Sequence, residues 1–145
     1  MVSHGVYPKL DASGAPGTLS AVISRQLLRE TIGYDGLAIT DDMEMHAVSD
    51  LATPEEIAVR SLLAGNDLIL FCSRIEELPS IATHIDVLTS RDELVAARFE
   101  EATKHCERFV SECARIQAGK QFPRAAYDEI IESVRVLNAR TSSGT

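Results

Sequence analysis

Two rhythms of apolar and polar positions alternate along the chain. Short, nearly continuous apolar runs occur at Leu37 to Thr40 and in "DLILFC", from Asp67 to Cys72. Between and after them, apolar residues recur every three or four positions. The first rhythm predicts strands covered on both faces, and the second predicts amphipathic helices. "MVSHGVYP" predicts a short strand running into a loop, and the Gly-, Ala-, Pro- and Ser-rich "KLDASGAPGT" predicts a connection. Ser20 is then placed to N-cap a helix with Val22, Ile23, Leu27 and Leu28 on its apolar side, closed by Gly33. "YDG" predicts the turn into the strand Leu37 to Thr40. At "TPEE", Thr53, Pro54 and Glu56 predict a capping box with proline at the first helical position, opening a helix that runs to Gly65.

Strand, helix, strand, helix, strand predicts a parallel α/β architecture. From His4 to Leu37 is 33 positions and from Leu37 to Leu68 is 31. A complete (β/α)₈ barrel of about 250 residues spends roughly 31 on each unit. A doubly wound sheet allows similar spacing, so periodicity leaves both architectures open.

After Cys72 the pattern is helical. One segment is predicted from about Glu76 to Leu88. Ser90 with Glu93 predicts a capping box opening a long helix, in which Val95, Phe99, Ala102, Cys106, Phe109, Cys113 and Ile116 form one apolar stripe. Glu100 and Lys104 pair on its wet side. A last helix is predicted over Ala125 to Ala139, and "RTSSGT" reads as a frayed tail.

With 145 residues the chain is one domain or a piece of one. The net charge of −8 argues against nucleic acid or an anionic membrane surface as partner. No apolar run approaches the roughly 20 residues of a membrane span, and the N-terminus lacks a signal-peptide layout. A cytoplasmic location is the expectation. Cys106 and Cys113 lie about 10 Å apart along one helix, too far for a disulfide, and read as buried apolar residues. His4, His46, His84 and His105 show no metal-ligand spacing with each other or with the cysteines. Neither a metal nor a cofactor is expected.

The adjacent carboxylates Asp41 and Asp42 are the candidates for chemistry. In parallel α/β proteins, side chains that act on substrates cluster at the C-terminal ends of strands. Asp41 stands at that end of the second strand and His4 near that end of the first. Leu37, Ile39 and Asp41 share one face of the strand, while Ala38, Thr40 and Asp42 take the other. The two aspartates should therefore do different jobs. Aspartate also ends strands by bonding turn N–H groups, and position alone does not separate that reading from a catalytic one. His4, Met43 and Met45 each have a plain packing reading, and Asp11 and Asp35 read as turn residues.

The stretches "MVSHGVYPKLD", "PGTLS", "LLRETIGYDGLAITDDMEM" and "AVRSLLAGNDLILFC" together resemble the later part of the catalytic barrel of glycoside hydrolase family 3. The nearest branch is the bacterial β-N-acetylhexosaminidases, which remove terminal N-acetylglucosamine from peptidoglycan fragments. The run "GYDGLAITDDMEM" carries most of the specificity. The resemblance implies that Asp41 is the catalytic nucleophile, forming a covalent glycosyl-enzyme that water hydrolyses with retention. It implies that His4 and Met45 line the sugar-binding mouth and that Asp42 supports them.

The same resemblance implies about five strands ahead of "MVSHGVYP" and a "KHFPGHG" loop whose histidine–aspartate pair is the general acid/base. The chain is therefore expected to be a partial (β/α)₈ barrel, its last three units, over residues 1–118, with a C-terminal helix and tail over 119–145. A truncated product, a split protein completed by a separate chain and a fragmentary gene would each look like this. Two readings of function follow. In the first, the chain is a glycosidase segment acting on an N-acetylglucosamine-containing saccharide only when the barrel is complete. In the second, it is a non-catalytic α/β binding or interaction module.

Overall fold

The computed structural model describes residues 1–117, 124 and 128–135. The chain divides into two compact units, Met1–Val110 and Ser111–Thr145. In the first, strands β1 (Ile39–Asp42) and β2 (Leu68–Leu70) pair in parallel. Val2 adds a third parallel partner on the other side of β1. Its N–H donates to the Ile39 carbonyl at 2.7 Å, and its carbonyl accepts the Asp41 N–H at 2.8 Å. The three extended segments thus lie side by side in chain order, as the strand–helix–strand pattern predicts.

The first segment keeps only this single bridge. Beyond it, the Gly5 carbonyl accepts the Gly17 N–H at 2.9 Å and Val6 bridges antiparallel to Pro16, so the backbone leaves the sheet for its own connecting loop. β1 begins and ends two residues later than expected, making Asp41 and Asp42 the last residues of the strand. Strands covered on both faces are not what forms. Ala38 and Thr40 are buried, Leu37 and Ile39 are half-buried, and Leu68 is 43% exposed. The sheet has one packed face and one face still in contact with water, so the apolar runs reflect more burial than this chain provides.

The helices confirm the local signals with two corrections. Ser20 Oγ accepts the Ile23 N–H at 3.1 Å at the start of a helix over Val22–Thr31, and Gly33 follows with φ +73°. That helix is wound as a π-helix, its Ile32 N–H reaching back five residues to the Leu27 carbonyl. A short helix, α1 (His46–Ser49), follows β1, and α2 (Pro54–Ala64) carries the expected capping box between Thr53 and Glu56. Gly65 ends α2 with φ +117°, and a Cβ there would stand 3.1 Å from the Ser24 carbonyl group. A 3₁₀ turn, Ile75–Glu77, leads into α3 (Leu78–Thr89), and α4 (Glu93–Gln117) is the long helix.

The first correction concerns how α4 starts. Asp92, not Ser90, caps it, its Oδ1 accepting the N–H groups of Leu94 and Val95 at 2.8 and 3.3 Å. Ser90 closes α3 instead, donating its hydroxyl to the Val87 carbonyl. The second concerns the face of α4. Val95 and Ala102 are buried and Cys106 and Cys113 half-buried, but Phe99, Phe109 and Ile116 are exposed. Arg98 takes a buried position on this helix, and His105 bonds the same partner. Both are drawn in by Asp67, the residue ahead of β2. Residues 128–135 are helical; the rest of the predicted last helix and the "RTSSGT" tail lie outside the described residues.

Asp67 anchors the end of the sheet opposite Asp41. Its buried carboxylate bonds Arg98 at 2.6 Å and His105 at 2.9 Å, pairs with Arg29, and accepts the Ala38 N–H at 2.8 Å. One side chain therefore ties the π-helix, β1, β2 and α4 together. Burial pushes its carboxyl upward, but the Ala38 N–H, His105, Arg98 and Arg29 outweigh that and hold it below the usual carboxylate range. Apolar packing completes the frame: Met43, Val48 and Ile57 cluster with Leu19, Ile69 and Phe71, and Leu62, Val95 and Ala102 with Ile69 and Leu88. Among the described residues, no helix is long and apolar enough to cross a membrane.

Candidate active site

The register of the sheet changes where the carboxylates begin. Ile39 lies opposite Leu68 and Asp42 opposite Leu70, so β1 spends one more residue than β2 over the same span. Bulges of this kind bend a strand and re-aim its side chains. The buried Thr40 repairs the ladder, its Oγ1 accepting the Leu70 N–H at 3.0 Å. Asp41 follows, half-buried, with its backbone pinned to Val2.

Each aspartate is oriented by backbone. Asp41 Oδ1 accepts the N–H of Asp42 at 2.9 Å, and among the described residues its Oδ2 meets no donor. Asp42 Oδ1 accepts the Glu44 N–H at 3.1 Å, the bond of an aspartate turn. The two carboxylates thus differ in their bonding: Asp42 makes the turn, and Asp41 keeps one oxygen without a protein donor among the described residues.

His4 is brought to the same place. Its Nε2 lies 2.8 Å from the Asp42 carbonyl and its Nδ1 lies 2.8 Å from Thr18 Oγ1. A carbonyl can only accept, so Nε2 carries the hydrogen. In the neutral ring Nδ1 then accepts from the Thr18 hydroxyl. Thr18 is fully buried and its carbonyl accepts from the amide of Asn66, itself bonded to Ser61. The loop approaches this closely because residue 17 is glycine: a Cβ there would sit 2.8 Å from the Ser3 carbonyl oxygen. The motif "HGVYP" followed by "TLS" is therefore one contact in space, His4 against Thr18.

Two residues near the pair were not singled out by sequence reasoning. Glu44 accepts three successive N–H groups, those of Cys72, Ser73 and Arg74, at 3.1, 2.6 and 2.5 Å. Burial pushes its carboxyl upward, yet these three bonds more than offset it and hold the carboxyl below its ordinary value. Cys72, exposed at the end of β2, has its thiol pushed up, first by loss of hydration and then by the charges of Asp42, Glu44 and Asp41. Nothing in the apolar run "DLILFC" signals either contact. Met45 starts α1 half-exposed, and His46 is exposed, 3.5 Å from Asp50. Of the turn residues, Asp11 is buried and bonds Ser20 and Ser13, and Asp35 pairs with Arg108 at 2.7 Å.

Residues 1–109 match the model of the Glycosyl hydrolase family 3 N terminal domain. A beta-hexosaminidase of Vibrio cholerae serotype O1 is 33% identical over 88 residues, which cover 61% of this chain and 26% of that protein. One from Bordetella parapertussis is 38% identical over 74 residues, 51% of this chain and 20% of the other. The crystal structure of the beta-N-acetylglucosaminidase from Thermotoga maritima superposes with a TM-score of 0.68 at 34% identity, covering 75% of this chain and 24% of that one. The chain spans about a quarter of the length of the relatives it matches.

Proposed function

The chain belongs to glycosyl hydrolase family 3, and on that premise we propose that it is the C-terminal part of a family catalytic barrel whose nucleophile is Asp41. The substrate class is a saccharide ending in N-acetylglucosamine, of the kind the named relatives point to. One observation carries the reading. At the C-terminal end of β1, Asp41 has one carboxylate oxygen held by the Asp42 N–H and the other free of protein donors among the described residues. A nucleophile of a retaining glycosidase needs that arrangement, fixed in direction but open to the anomeric carbon.

His4 and Met45 are proposed substrate contacts and Asp42 their support. Retention also needs a group that protonates the leaving oxygen, and such groups have raised pKa values. The carboxylates beside Asp41 do not meet that need. Glu44 is held below its ordinary range by three N–H donors, and Asp42 is already an acceptor for the Glu44 N–H. The proton donor is proposed to come from the preceding barrel loop, carried on an upstream segment or on a separate chain.

The test is to complete the barrel with the upstream strands of a beta-hexosaminidase, by fusion or co-expression, and assay an aryl N-acetylglucosaminide. Asp41→Ala should cost on the order of 10³-fold or more in kcat, and Asp42→Ala roughly tenfold. Equal losses would place the nucleophile elsewhere.

A further inference from the structure

The peptide between Asp41 and Asp42 carries the N–H that orients the Asp41 carboxylate, and the peptides on both sides of it are held. On one side the Asp41 N–H donates to the Val2 carbonyl at 2.8 Å. On the other, the Met43 N–H donates to the Leu70 carbonyl at 2.9 Å. The Asp42 carbonyl of that same peptide accepts the Nε2–H of His4 at 2.8 Å. The first two bonds come from neighbouring extended backbone. The third comes from a side chain, so its direction depends on what holds the imidazole ring.

Among the described residues, the other hydrogen bond of that ring joins Nδ1 to the Thr18 hydroxyl at 2.8 Å. A ring bonded at one nitrogen can still turn about that bond, whereas a ring bonded at both has its plane set. Thr18 is itself firmly seated, fully buried in a 3₁₀ turn over Gly17–Leu19. The Gly17 carbonyl accepts the Ser24 hydroxyl at 2.8 Å, and the Thr18 carbonyl accepts the Asn66 amide at 2.8 Å. Asn66 is fully buried too, bonds Ser61 of α2, and gives its own carbonyl to Arg98 at 2.7 Å. The stretches "TLS" and "AGNDLIL" thereby meet behind the Nδ1 side of His4.

Resting on Asp41 as nucleophile, we propose that Thr18 is a positioning residue: its hydroxyl anchors the His4 ring, which holds the Asp42 carbonyl and steadies the peptide that aims Asp41. Thr18 is fully buried and does not meet the sugar. With both nitrogens bonded inside the protein, His4 meets a sugar through its ring carbons only. The role needs a hydroxyl. Serine keeps it, while valine keeps the shape and sets a methyl against Nδ1, leaving that nitrogen without a donor.

The first measurement uses the 145-residue chain itself, with hydrogen exchange followed by peptide mass mapping. Thr18→Val should speed exchange over residues 41–44 about fivefold or more, leaving α3 unchanged as the reference. No rise over 41–44 overturns the anchor. An equal rise in α3 overturns it too, because Thr18 would then serve the fold as a whole.

The second measurement uses the barrel completed with upstream strands and an aryl N-acetylglucosaminide. Thr18→Val should lower kcat about tenfold with KM changed less than about twofold, and Thr18→Ser should keep about half of the parent kcat or more. Thr18→Val added to His4→Gln should match His4→Gln alone within about twofold, because a residue that acts through His4 then has nothing to act on. Three results would each overturn the positioning role: unchanged kcat in Thr18→Val, equal losses in the valine and serine variants, or a full further loss in the His4→Gln background. With Asp41→Ala inactive, any of them leaves the nucleophile assignment standing. Full activity of Asp41→Ala overturns the nucleophile and the positioning role together.

Discussion

The carbonyl of Asp42 accepts the Nε2–H of His4 at 2.8 Å, joining residues 38 positions apart. Through this bond the end of β1 and the segment that precedes the first loop become one structure. It also holds the His4 ring at both nitrogens, since the other one is bonded to the buried Thr18.

His4→Ala removes both partners at once and leaves the Thr18 hydroxyl and the Asp42 carbonyl short of a bond. Each buried orphan costs about 1–3 kcal/mol. The variant should unfold at a clearly lower urea concentration with an unchanged slope. An unshifted midpoint would mean that water replaces the imidazole without loss.

Asp67→Asn should be the most destabilising conservative change in the described chain. It strips the charge from a buried site that Arg29, Arg98 and His105 all face, and breaking such a pair costs about 3–5 kcal/mol. The Asp67 carboxyl lies below its ordinary 3.8 in the folded protein, so its contribution is complete above that pH. The contribution disappears as pH falls through the lowered folded value. Urea midpoints of the parent and of Asp67→Asn should therefore differ fully near neutrality and converge in strong acid. A constant difference across that range would contradict the linkage.

Alone, the 145-residue chain should hydrolyse no aryl N-acetylglucosaminide measurably and should self-associate. The proton donor is proposed to lie elsewhere, and one face of the sheet is open at Leu68, Leu37 and Ile39. Exposed strand edges and faces pair with other chains. Size-exclusion chromatography should show dimers or larger species. A compact, active monomer would sink the partial-barrel reading.

In the completed enzyme, a 2-fluoro sugar with a good leaving group should trap the glycosyl-enzyme, because the fluorine slows both steps and the leaving group rescues only the first. Mass spectrometry should find the label on Asp41. A label on Glu44 would overturn Asp41 as the nucleophile.

What is local along the chain was determined by the sequence alone. The capping box of Thr53 and Glu56, the left-handed Gly33 and Gly65, the pairing of Glu100 with Lys104 and the order of extended and helical segments all depend on neighbours within a few positions. The placement of Asp41 at a strand's C-terminal end was legible for the same reason. Contacts between distant segments were decided only by the tertiary structure. Asp92 displaced Ser90 as the cap of α4, because Ser90 turned back to the Val87 carbonyl. Arg98 took a buried position in α4, because Asp67, 31 positions away, supplied a charge worth burying against. The bulge at Thr40 and Asp41 and the grip of Glu44 on the loop at Cys72 have no periodic signature. They arise where parallel strands end together, and hydrogen bonds there are chosen by proximity in space, which spacing along one strand does not encode.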